Sequence, residues 1–396
     1  MTTSPATHQV RHVILALIAL MLVALNLRPA LTSVGPVLRT LGDSLSLDST
    51  GQGVLNTLPV LFLGIAAPLA PWAARRLGVE QAVFLAIVLL GIALAARPYI
   101  GVTGLFIGTA IAGGCIGIIN VLLPGIVKRD FPNHVSLLTG VYTAVLCIGA
   151  ALASATVEPL RQVFDNDWQL ALAVWMIPAA IAAVAWWTQL QKHPTSTEPV
   201  VTLRKSLFRD ALAWQIAIYM GLQSSLAYTV FGWLPTILQD RRIDVVTSGI
   251  ATSLSIMVQV ITAIMAPWIA SYMRDQRFMI VFVVLLTMAG LAGCFYDDTG
   301  RMWFWAVILG LGQGGSFSMA LTLLAVRART PKIAARLSGM AQGLGYTLAA
   351  IGPLFVGVLH GMTNSWEIAG LFLLLIGAGA IIAGIGAGRN LYVLEN

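Results

Sequence analysis

Twelve long apolar runs, separated by short polar connectors, dominate the sequence. A run of about 20 apolar residues is long enough to cross the hydrocarbon core of a bilayer as a helix. Apolar residues make up 58% of the chain and charged residues 10%, whereas a soluble domain carries about a quarter charged residues. The sequence therefore predicts an all-α integral membrane protein. The predicted spans are 12–38, 51–72, 80–97, 102–127, 136–158, 168–190, 212–238, 247–271, 278–296, 302–326, 336–360 and 367–388.

The distribution of lysine and arginine predicts how these spans are oriented. If the N-terminus is cytoplasmic, 16 of the 23 basic residues lie in inside connectors and six lie in outside connectors, while Arg28 falls within the first span. Cytoplasmic connectors carry an excess of basic residues, so we expect both termini in the cytoplasm. Because the basic residues lie between spans, the net charge of +7 does not indicate a nucleic-acid partner.

The two halves of the sequence repeat each other. The segment APWAARRLGVEQAVFLAIVLL from Ala70 corresponds to APWIASYMRDQRFMIVFVVLL from Ala266, and Pro36 corresponds to Pro235 at an offset of 199. Because each half holds an even number of spans, the copies are two parallel six-helix repeats with a cavity between them as the expected site. The predicted units are an N-terminal half (1–190), a cytoplasmic linker (191–210) and a C-terminal half (211–396).

Arg28, in the stretch ALNLRPALTSVGPVL (24–38), is the only charged residue expected at mid-depth in the membrane. A buried arginine costs between about 2.5 and 17 kcal/mol depending on the scale, so its side chain should face water or an anion. The planar guanidinium suits carboxylate-like and other flat oxyanions. Alternatively, Arg28 caps backbone carbonyls that are freed where Pro29 or Pro36 interrupts the helix.

Other polar and aromatic residues lie inside the predicted spans at helical spacing. Thr32 follows Arg28 by one turn, and Gln342 and Tyr346 share one helix face. A hydrogen bond between helices is the default role for any one of them, but the group indicates a polar cavity. The predicted substrate-binding residues are Arg28, Thr32, Asn120, Tyr142, Gln223, Tyr228, Gln259, Gln313, Phe317, Gln342 and Tyr346, with Asn26 and Asn56 behind them.

Motifs for enzymatic chemistry are missing from the sequence. The five histidines show no metal-ligand spacing, and neither a Walker motif nor a nucleophile elbow is present. Cys115, Cys147 and Cys294 all fall inside apolar segments and are interpreted as small core residues. We therefore expect no metal site, no cofactor and no enzymatic activity.

Glycine pairs at GxxxG spacing predict close helix packing. Gly140 and Gly339 are also equivalent in the repeat, where LTG corresponds to LSG at an offset of 199. We expect both to lie where helices approach closely and to act in gating. The three GxxxG pairs are Gly113 and Gly117, Gly310 and Gly314, and Gly339 and Gly343.

Four stretches resemble the cyanate and 2-nitroimidazole transporter family of the major facilitator superfamily: LNLRPALTSVGPVL, APWAARRLGVEQA, GGCIGIINVLLPGIVKRDFP and LGLGQGGSFSMALTLL. The resemblance covers essentially the whole chain and is most specific in Asn-Leu-Arg-Pro and Lys-Arg-Asp-Phe-Pro. It implies a multi-pass protein of the bacterial inner membrane that works by alternating access. Members are linked to cyanate, nitroimidazole or drug transport, so the resemblance leaves the substrate open.

The connector between the second and third spans departs from the pattern of this superfamily. Major facilitator proteins usually carry a Gly-x-x-x-Asp-Arg-x-Gly-Arg-Arg loop there. In this chain Arg75 stands in place of the aspartate, while Arg76 and Gly78 match. The charge-relay role of the aspartate therefore does not transfer, and we assign Arg75 and Arg76 only to cytoplasmic gating or orientation.

The leading hypothesis is a monomeric secondary carrier of a small anionic or polar organic solute, with membrane lipid around it. No carboxylate is expected at mid-depth, so a coupling proton or counter-anion would travel with the substrate or through a span-end group. The alternative is a drug exporter, for which Tyr142, Tyr228, Trp233, Phe317 and Tyr346 would matter more than Arg28. A membrane enzyme would need a nucleophile, a base or a metal cluster at one depth, and the sequence shows none. The paired six-helix repeat disfavours a channel.

Overall fold

The computed structural model describes residues 5–131, 134–190 and 207–394, and every regular element among them is a helix. Residues 191–206 of the predicted linker lie outside the described residues. The helices form twelve spans in chain order: Pro5–Leu25 with Pro29–Thr32, Gly35–Val37 and Leu38–Leu45 (span 1); Ser49–Ala66, Ala67–Leu69 and Ala70–Leu77 (span 2); Val79–Ala96 (span 3); Gly101–Asp130 (span 4); Val135–Val163 (span 5); Trp168–Ala173 and Met176–Trp187 (span 6); Ala211–Asp240 (span 7); Val245–Ser271 (span 8); Arg277–Tyr296 (span 9); Thr299–Arg301 and Met302–Val326 (span 10); Pro331–Ala349 and Ile351–Thr363 (span 11); and Trp366–Ala387 (span 12).

Eleven of the described segments are long and apolar enough to cross a membrane, judged by length and composition. Span 7 completes the twelve. It has 30 residues, and polar side chains such as Gln223, Ser224 and Ser225 reduce its hydropathy while lying buried inside the bundle. A span surrounded by protein can hold such residues because its polar groups bond to neighbouring helices. The predicted all-α fold of twelve spans is confirmed.

Aspartates begin several of these helices. Asp48, Asp167, Asp210 and Asp244 each accept a hydrogen bond from a backbone N–H of the first turn. The first turn of a helix has free N–H donors and a positive dipole end, so a carboxylate is favoured there. This capping explains why these acidic residues lie at the ends of spans.

Two of the three GxxxG pairs bring helices together as expected. In span 4, a Cβ atom added to Gly113 would lie 2.3 Å from the carbonyl oxygen of Pro59 in span 2, and one added to Gly117 would lie 2.4 Å from that of Leu63. The pair Gly310 and Gly314 in span 10 approaches the backbone of span 8 in the same way. Only glycine allows such short distances between helix backbones.

The expectation of close packing at Gly140 and Gly339 is wrong. Among the described residues, a Cβ atom added at either position would meet nothing within 4 Å. The third GxxxG pair therefore lacks the close contact of the other two, because Gly339 faces open space. The gating role of Gly140 and Gly339 stays a prediction.

The bundle has two ends, which we call the linker end, where residues 190 and 207 lie, and the opposite end. At the opposite end, span 1 of the first half binds span 7 of the second. The amide of Gln239 donates a hydrogen bond to the carbonyl oxygen of Pro36 (3.1 Å), and Arg39 forms an ion pair with Asp240. The indole of Trp366 also donates to Asp240 (2.8 Å).

Two further helix pairs close the opposite end. The hydroxyl of Ser154 in span 5 donates to the carbonyl oxygen of Gly249 in span 8 (3.3 Å). A Cβ atom added to Gly53 in span 2 would lie 3.1 Å from the Cα of Gly357 in span 11. Three pairs of spans, one from each half, thus hold this end of the bundle closed.

Toward the linker end the halves enclose a space of about 400 Å³, which we call the apolar chamber. It lies between span 5 of the first half and spans 8 and 10 of the second. Spans 2 and 11 remain in contact, since a Cβ atom on Gly343 would lie 3.5 Å from the Pro68 ring. The chamber is lined by Gly140, Thr143, Ala144, Val260, Ala263, Ile264, Pro267, Phe317, Ser318, Leu321, Thr322 and Ala325.

Candidate substrate-binding site

The first span is broken where Arg28 lies. Its long helix ends at Leu25, residues 26–28 form a turn, and a helix of four residues begins at Pro29. Proline has no backbone N–H to continue the helix, but it fits the first position of a new one. Arg28 precedes this short helix, and its carbonyl oxygen accepts a hydrogen bond from the N–H of Leu31 (2.9 Å). The break therefore fixes the backbone that carries the arginine.

The guanidinium of Arg28 lies between two aromatic rings from the other half of the protein. Its Cζ atom is 5.4 Å from the ring centre of Phe231 in span 7 and 5.4 Å from that of Phe317 in span 10. Within the described residues, Arg28 has no ion pair, and its buried Nη1 atom has no hydrogen-bond partner. The aromatic faces stabilise the cation, and among the described residues none accepts a hydrogen bond from its Nη1 donor.

This arrangement argues against the capping interpretation of Arg28. A capping arginine would donate to the carbonyl groups freed at Pro29 or Pro36, but the described residues provide no such hydrogen bond. The sequence alone left the two roles open. The structure leaves the guanidinium free to bind an acceptor that comes from outside the protein.

A cavity of about 60 Å³, which we call the Arg28 cavity, adjoins this side chain. Three tyrosines and two amides place hydroxyl, carbonyl and N–H groups around it, from spans 4, 5, 7 and 11. The rings of Tyr228 and Tyr346 meet edge to face, with their centres 6.1 Å apart. The lining residues are Leu27, Arg28, Leu31, Leu63, Asn120, Pro124, Tyr142, Thr143, Leu146, Tyr228, Phe317, Leu321, Gln342 and Tyr346.

A smaller space of about 10 Å³ adjoins Arg28 and Phe231. That volume holds about one water molecule. The amide of Gln259 donates to the side-chain oxygen of Gln313 (3.1 Å), and Ser224 completes the polar wall. These two glutamines therefore line the smaller space beside Arg28 and not the Arg28 cavity.

Four predicted residues lie outside both spaces. Gln223 bonds within its own helix, through its amide N–H to the hydroxyl of Ser224 (2.7 Å), and Thr32 donates to the carbonyl oxygen of Arg28 (3.3 Å). Asn26 donates to the carbonyl oxygen of Pro178 in span 6 (3.1 Å), the bond to a neighbouring helix that was expected. Asn56 packs against Gly232 of span 7, between the halves.

Arg75 and Arg76 lie exposed at the linker end, in the last turn of Ala70–Leu77. Neither forms an ion pair with any residue that the structure describes, so their gating role stays a prediction. The buried carboxylate in this region is Glu80, which pairs with Arg129 of span 4 at 2.6 Å. This ion pair, within the first half, was not expected from the sequence.

The predicted set of site residues omitted three residues around Arg28. Phe231 follows Tyr228 by three positions and so lies on the same helix face. Ser224 precedes Tyr228 by four positions and takes the place that was predicted for Gln223. Thr143, the neighbour of Tyr142, lines both the Arg28 cavity and the apolar chamber.

The cation belongs to one half of the repeat only. At the offset of 199 that relates the two halves, the position equivalent to Arg28 is Ala227, which lines the smaller space.

No group of three or more histidine, cysteine or carboxylate side chains that could hold a metal ion occurs among the described residues. The arrangement is suited to binding a small planar anion by charge and hydrogen bonds.

Comparison with known proteins identifies the family of this chain. The sequence matches the Major Facilitator Superfamily over residues 14–357. The 2-nitroimidazole transporter of Escherichia coli (strain K12) is 35% identical over 95% of this chain and 96% of that protein. The cyanate transport protein CynX of the same organism is 29% identical over 92% of this chain and 95% of that protein.

A solved structure shows the same fold at low sequence similarity. The crystal structure of a D-xylose-proton symporter has a TM-score of 0.76, covers 96% of this chain and 98% of its own, and is 14% identical in sequence. Together with the twelve helical spans, these similarities establish the family. The chain belongs to the major facilitator superfamily, in the group of the cyanate and 2-nitroimidazole transport proteins, and is a membrane transporter of a small solute, not an enzyme.

Proposed function

We propose that this transporter carries a small planar anion or a strongly polar, oxyanion-like group, bound to Arg28 between its two halves. The observation that supports this most directly is the buried Nη1 donor of Arg28, which has no partner among the described residues. A buried donor without a partner costs about 1–3 kcal/mol, and more when it is charged. A bound oxyanion would remove that cost.

The size of the Arg28 cavity favours a small binding group. A water molecule needs about 10–15 Å³ by this measure, so a cavity of about 60 Å³ holds about four to six atoms of that size. Cyanate, a carboxylate or a nitro group fits this limit. Thr143, Phe317 and Leu321 line both the cavity and the apolar chamber, so a ring or alkyl group attached to the anion would extend toward the linker end.

The relatives support the same class of substrate by their names, which refer to 2-nitroimidazole and to cyanate. A nitro group is planar and cyanate is linear, and both present terminal acceptors that a guanidinium can bind. The tyrosines and amides around the cavity would bind the remaining acceptors and distinguish one substrate from another.

We further propose that the protein works by alternating access in the bacterial inner membrane, with the linker end in the cytoplasm. The closed opposite end and the apolar chamber at the linker end support this proposal, because a state open toward the cytoplasm requires both features. Rocking the halves about Arg28 would then expose the site to the other side. A proton or a counter-anion remains the proposed coupling partner, and the monomer the proposed unit.

Binding measurements on purified protein test this proposal. A thermal-shift screen with cyanate, nitrate, small carboxylates and nitroimidazoles would identify a ligand, because a ligand that binds only the folded state raises the apparent stability. Calorimetry would then compare the parent with Arg28→Lys and Arg28→Ala. We expect Arg28→Lys to weaken binding by about 1–3 kcal/mol, since lysine lacks the two-pronged donor geometry, and Arg28→Ala to abolish it.

The exposed Arg301, far from the cavity at the opposite end, provides a matched control, and Arg301→Lys should bind with parental affinity. Monodisperse protein in detergent ensures that misfolding is not taken for loss of the site. Near-parental affinity in Arg28→Ala would contradict the proposal. It would favour the drug exporter, whose substrate would rest on the aromatic residues and on the apolar chamber.

A further inference from the structure

A second arginine lies close to the broken part of span 1. Arg97 follows the last residue of span 3, and it is one of the six basic residues that the sequence predicted on the outside, at the end of the predicted span 80–97. The structure corrects this placement, because the Arg97 side chain is completely buried, with 0% of its surface exposed. A Cβ atom added to Gly108 of span 4 would lie 2.5 Å from the Cβ of Arg97, so this glycine leaves the room that the arginine occupies.

The guanidinium of Arg97 donates to the segment that follows Arg28. Its Nη1 atom lies 3.3 Å from the carbonyl oxygen of Ala30 and 3.4 Å from the hydroxyl of Thr109 in span 4. Its Nη2 atom lies 3.3 Å from the hydroxyl of Ser33, where the short helix ends. Arg97 thus joins the interrupted segment of span 1 to spans 3 and 4.

A buried cation without a counter-ion is costly, because burial removes its hydration. No carboxylate pairs with Arg97 among the described residues. An apolar side chain of similar size would avoid this cost, but it would leave the carbonyl oxygen of Ala30 and the hydroxyl of Ser33 without this donor. The benefit of the arginine must therefore lie in what its donors hold in place, which is the segment between Ala30 and Ser33.

That segment determines where Arg28 points. Arg28 and Ser33 flank the same four-residue helix, and the carbonyl oxygen of Arg28 accepts its first hydrogen bonds. A helix this short has little stability of its own. Without an anchor at Ala30 and Ser33 it could shift by about an ångström, and a misplacement of that size is costly for a binding geometry.

We infer that Arg97 is a positioning residue for the substrate site: it anchors the broken segment of span 1 and so holds the Arg28 guanidinium in the cavity between the halves. This inference rests on the proposed role of Arg28 as the anion-binding residue. Arg97 itself lies behind the segment, bonded to backbone and hydroxyl groups, and lines neither space beside Arg28.

The variant Arg97→Met separates positioning from stability. It removes the costly buried charge but also the donors to Ala30 and Ser33, two effects of opposite sign, so we expect the unfolding temperature of the ligand-free protein to change little. The Kd for the anion identified in the screen, measured by calorimetry, should rise by about tenfold or more because Arg28 is misplaced. Arg97→Lys keeps the charge and one donor group, and should restore part of the affinity.

Arg327 provides the matched control, because it is also buried and donates to the backbone carbonyls of Ala387 and Gly388, but in the second half at the linker end. Arg327→Met should leave the Kd within about twofold of the parent, since no site geometry depends on it. A folded Arg97→Met protein with the parental Kd would overturn the inference, whatever its unfolding temperature.

If Arg97→Met does not fold, Arg97→Lys and Ser33→Ala decide the question. Both should bind the anion more weakly at a near-parental unfolding temperature, and parental affinity in both would overturn the inference. Failure of the proposed anion binding by Arg28 gives a different result, because Arg28→Ala then keeps its affinity for the anion. If Arg28→Ala loses binding while the Arg97 variants keep the parental Kd, only the positioning role of Arg97 is contradicted.

Discussion

Among the residues that the structure describes, Arg28 is stabilised by aromatic faces and not by a carboxylate, and this difference bears on the proposed function. A resident carboxylate would occupy the planar donors of the guanidinium and compete with an anionic substrate. The rings of Phe231 and Phe317 lie within cation–π distance of the guanidinium and do not occupy its hydrogen-bond donors. The charge is therefore tolerated between the halves without losing its capacity to bind.

The two rings give a first prediction at the residue scale. Phe231→Leu and Phe317→Leu should each raise the Kd for the anion by about two- to fivefold, because a cation–π contact contributes about 0.5–1 kcal/mol. Phe282→Leu is the matched control, since this ring stacks on Phe278 at the outer surface of span 9. Calorimetry with an unchanged Kd in both site variants would show that the aromatic faces do not hold the arginine.

The sequence allowed part of the site to be predicted, and helical spacing explains which part. Arg28 was evident as a charge in an apolar run, and the three tyrosines and two amides of the cavity were all found because they lie inside spans. Gln223 was chosen over Ser224 although Ser224 shares a face with Tyr228. Arg97 could not be found, because a residue at the end of a span is assigned to a connector unless its contacts are known.

At the scale of single helices, the long glycine-rich spans form the framework and the broken span forms the site. The prolines of span 1 indicated an interruption, but sequence patterns do not show the hydrogen bonds that Arg97 donates to the segment after it. The glycine pairs of spans 4 and 10 were predictable because GxxxG spacing has a direct packing meaning. Gly140 and Gly339 follow no such rule, and symmetry alone was insufficient to predict their surroundings.

Span 4 offers a matched pair of glycines that tests this framework. Gly113→Ala should lower the free energy of unfolding by about 1–3 kcal/mol, because the added methyl group overlaps with the backbone of span 2. Gly125→Ala in the same span should leave it unchanged or slightly raised, since nothing lies within 4 Å of that position among the described residues. Thermal unfolding in detergent measures both, and equal effects would contradict the packing.

At the scale of the whole molecule, the ion pair of Arg39 and Asp240 links the halves at the closed opposite end. Asp240→Asn should shift the protein toward the state that is open at that end, by about two- to fivefold, because partly exposed ion pairs contribute up to about 1 kcal/mol. The buried Thr236, changed to cysteine, should then react faster with a membrane-impermeant maleimide.

Arg301→Ala is the control for this experiment, because Arg301 pairs with Asp297 at the same end but within one half. It should not change the labelling rate of the Thr236→Cys protein. If Asp240→Asn also leaves the rate unchanged, the ion pair does not contribute to closure, and the contacts of Gln239 and of the glycine pairs keep this end closed.

Transport in proteoliposomes tests the central claim most directly, because it requires both an anion site at Arg28 and movement of the halves around it. Vesicles loaded with the unlabelled anion that binds best in the screen would be diluted into labelled anion, and the parent should take up label transiently by exchange. Arg28→Lys should exchange about tenfold more slowly at low substrate concentration, in line with a loss of about 1–3 kcal/mol in binding. Arg28→Ala should show no exchange above empty vesicles. Exchange at the parental rate in the Arg28→Ala protein would contradict the account.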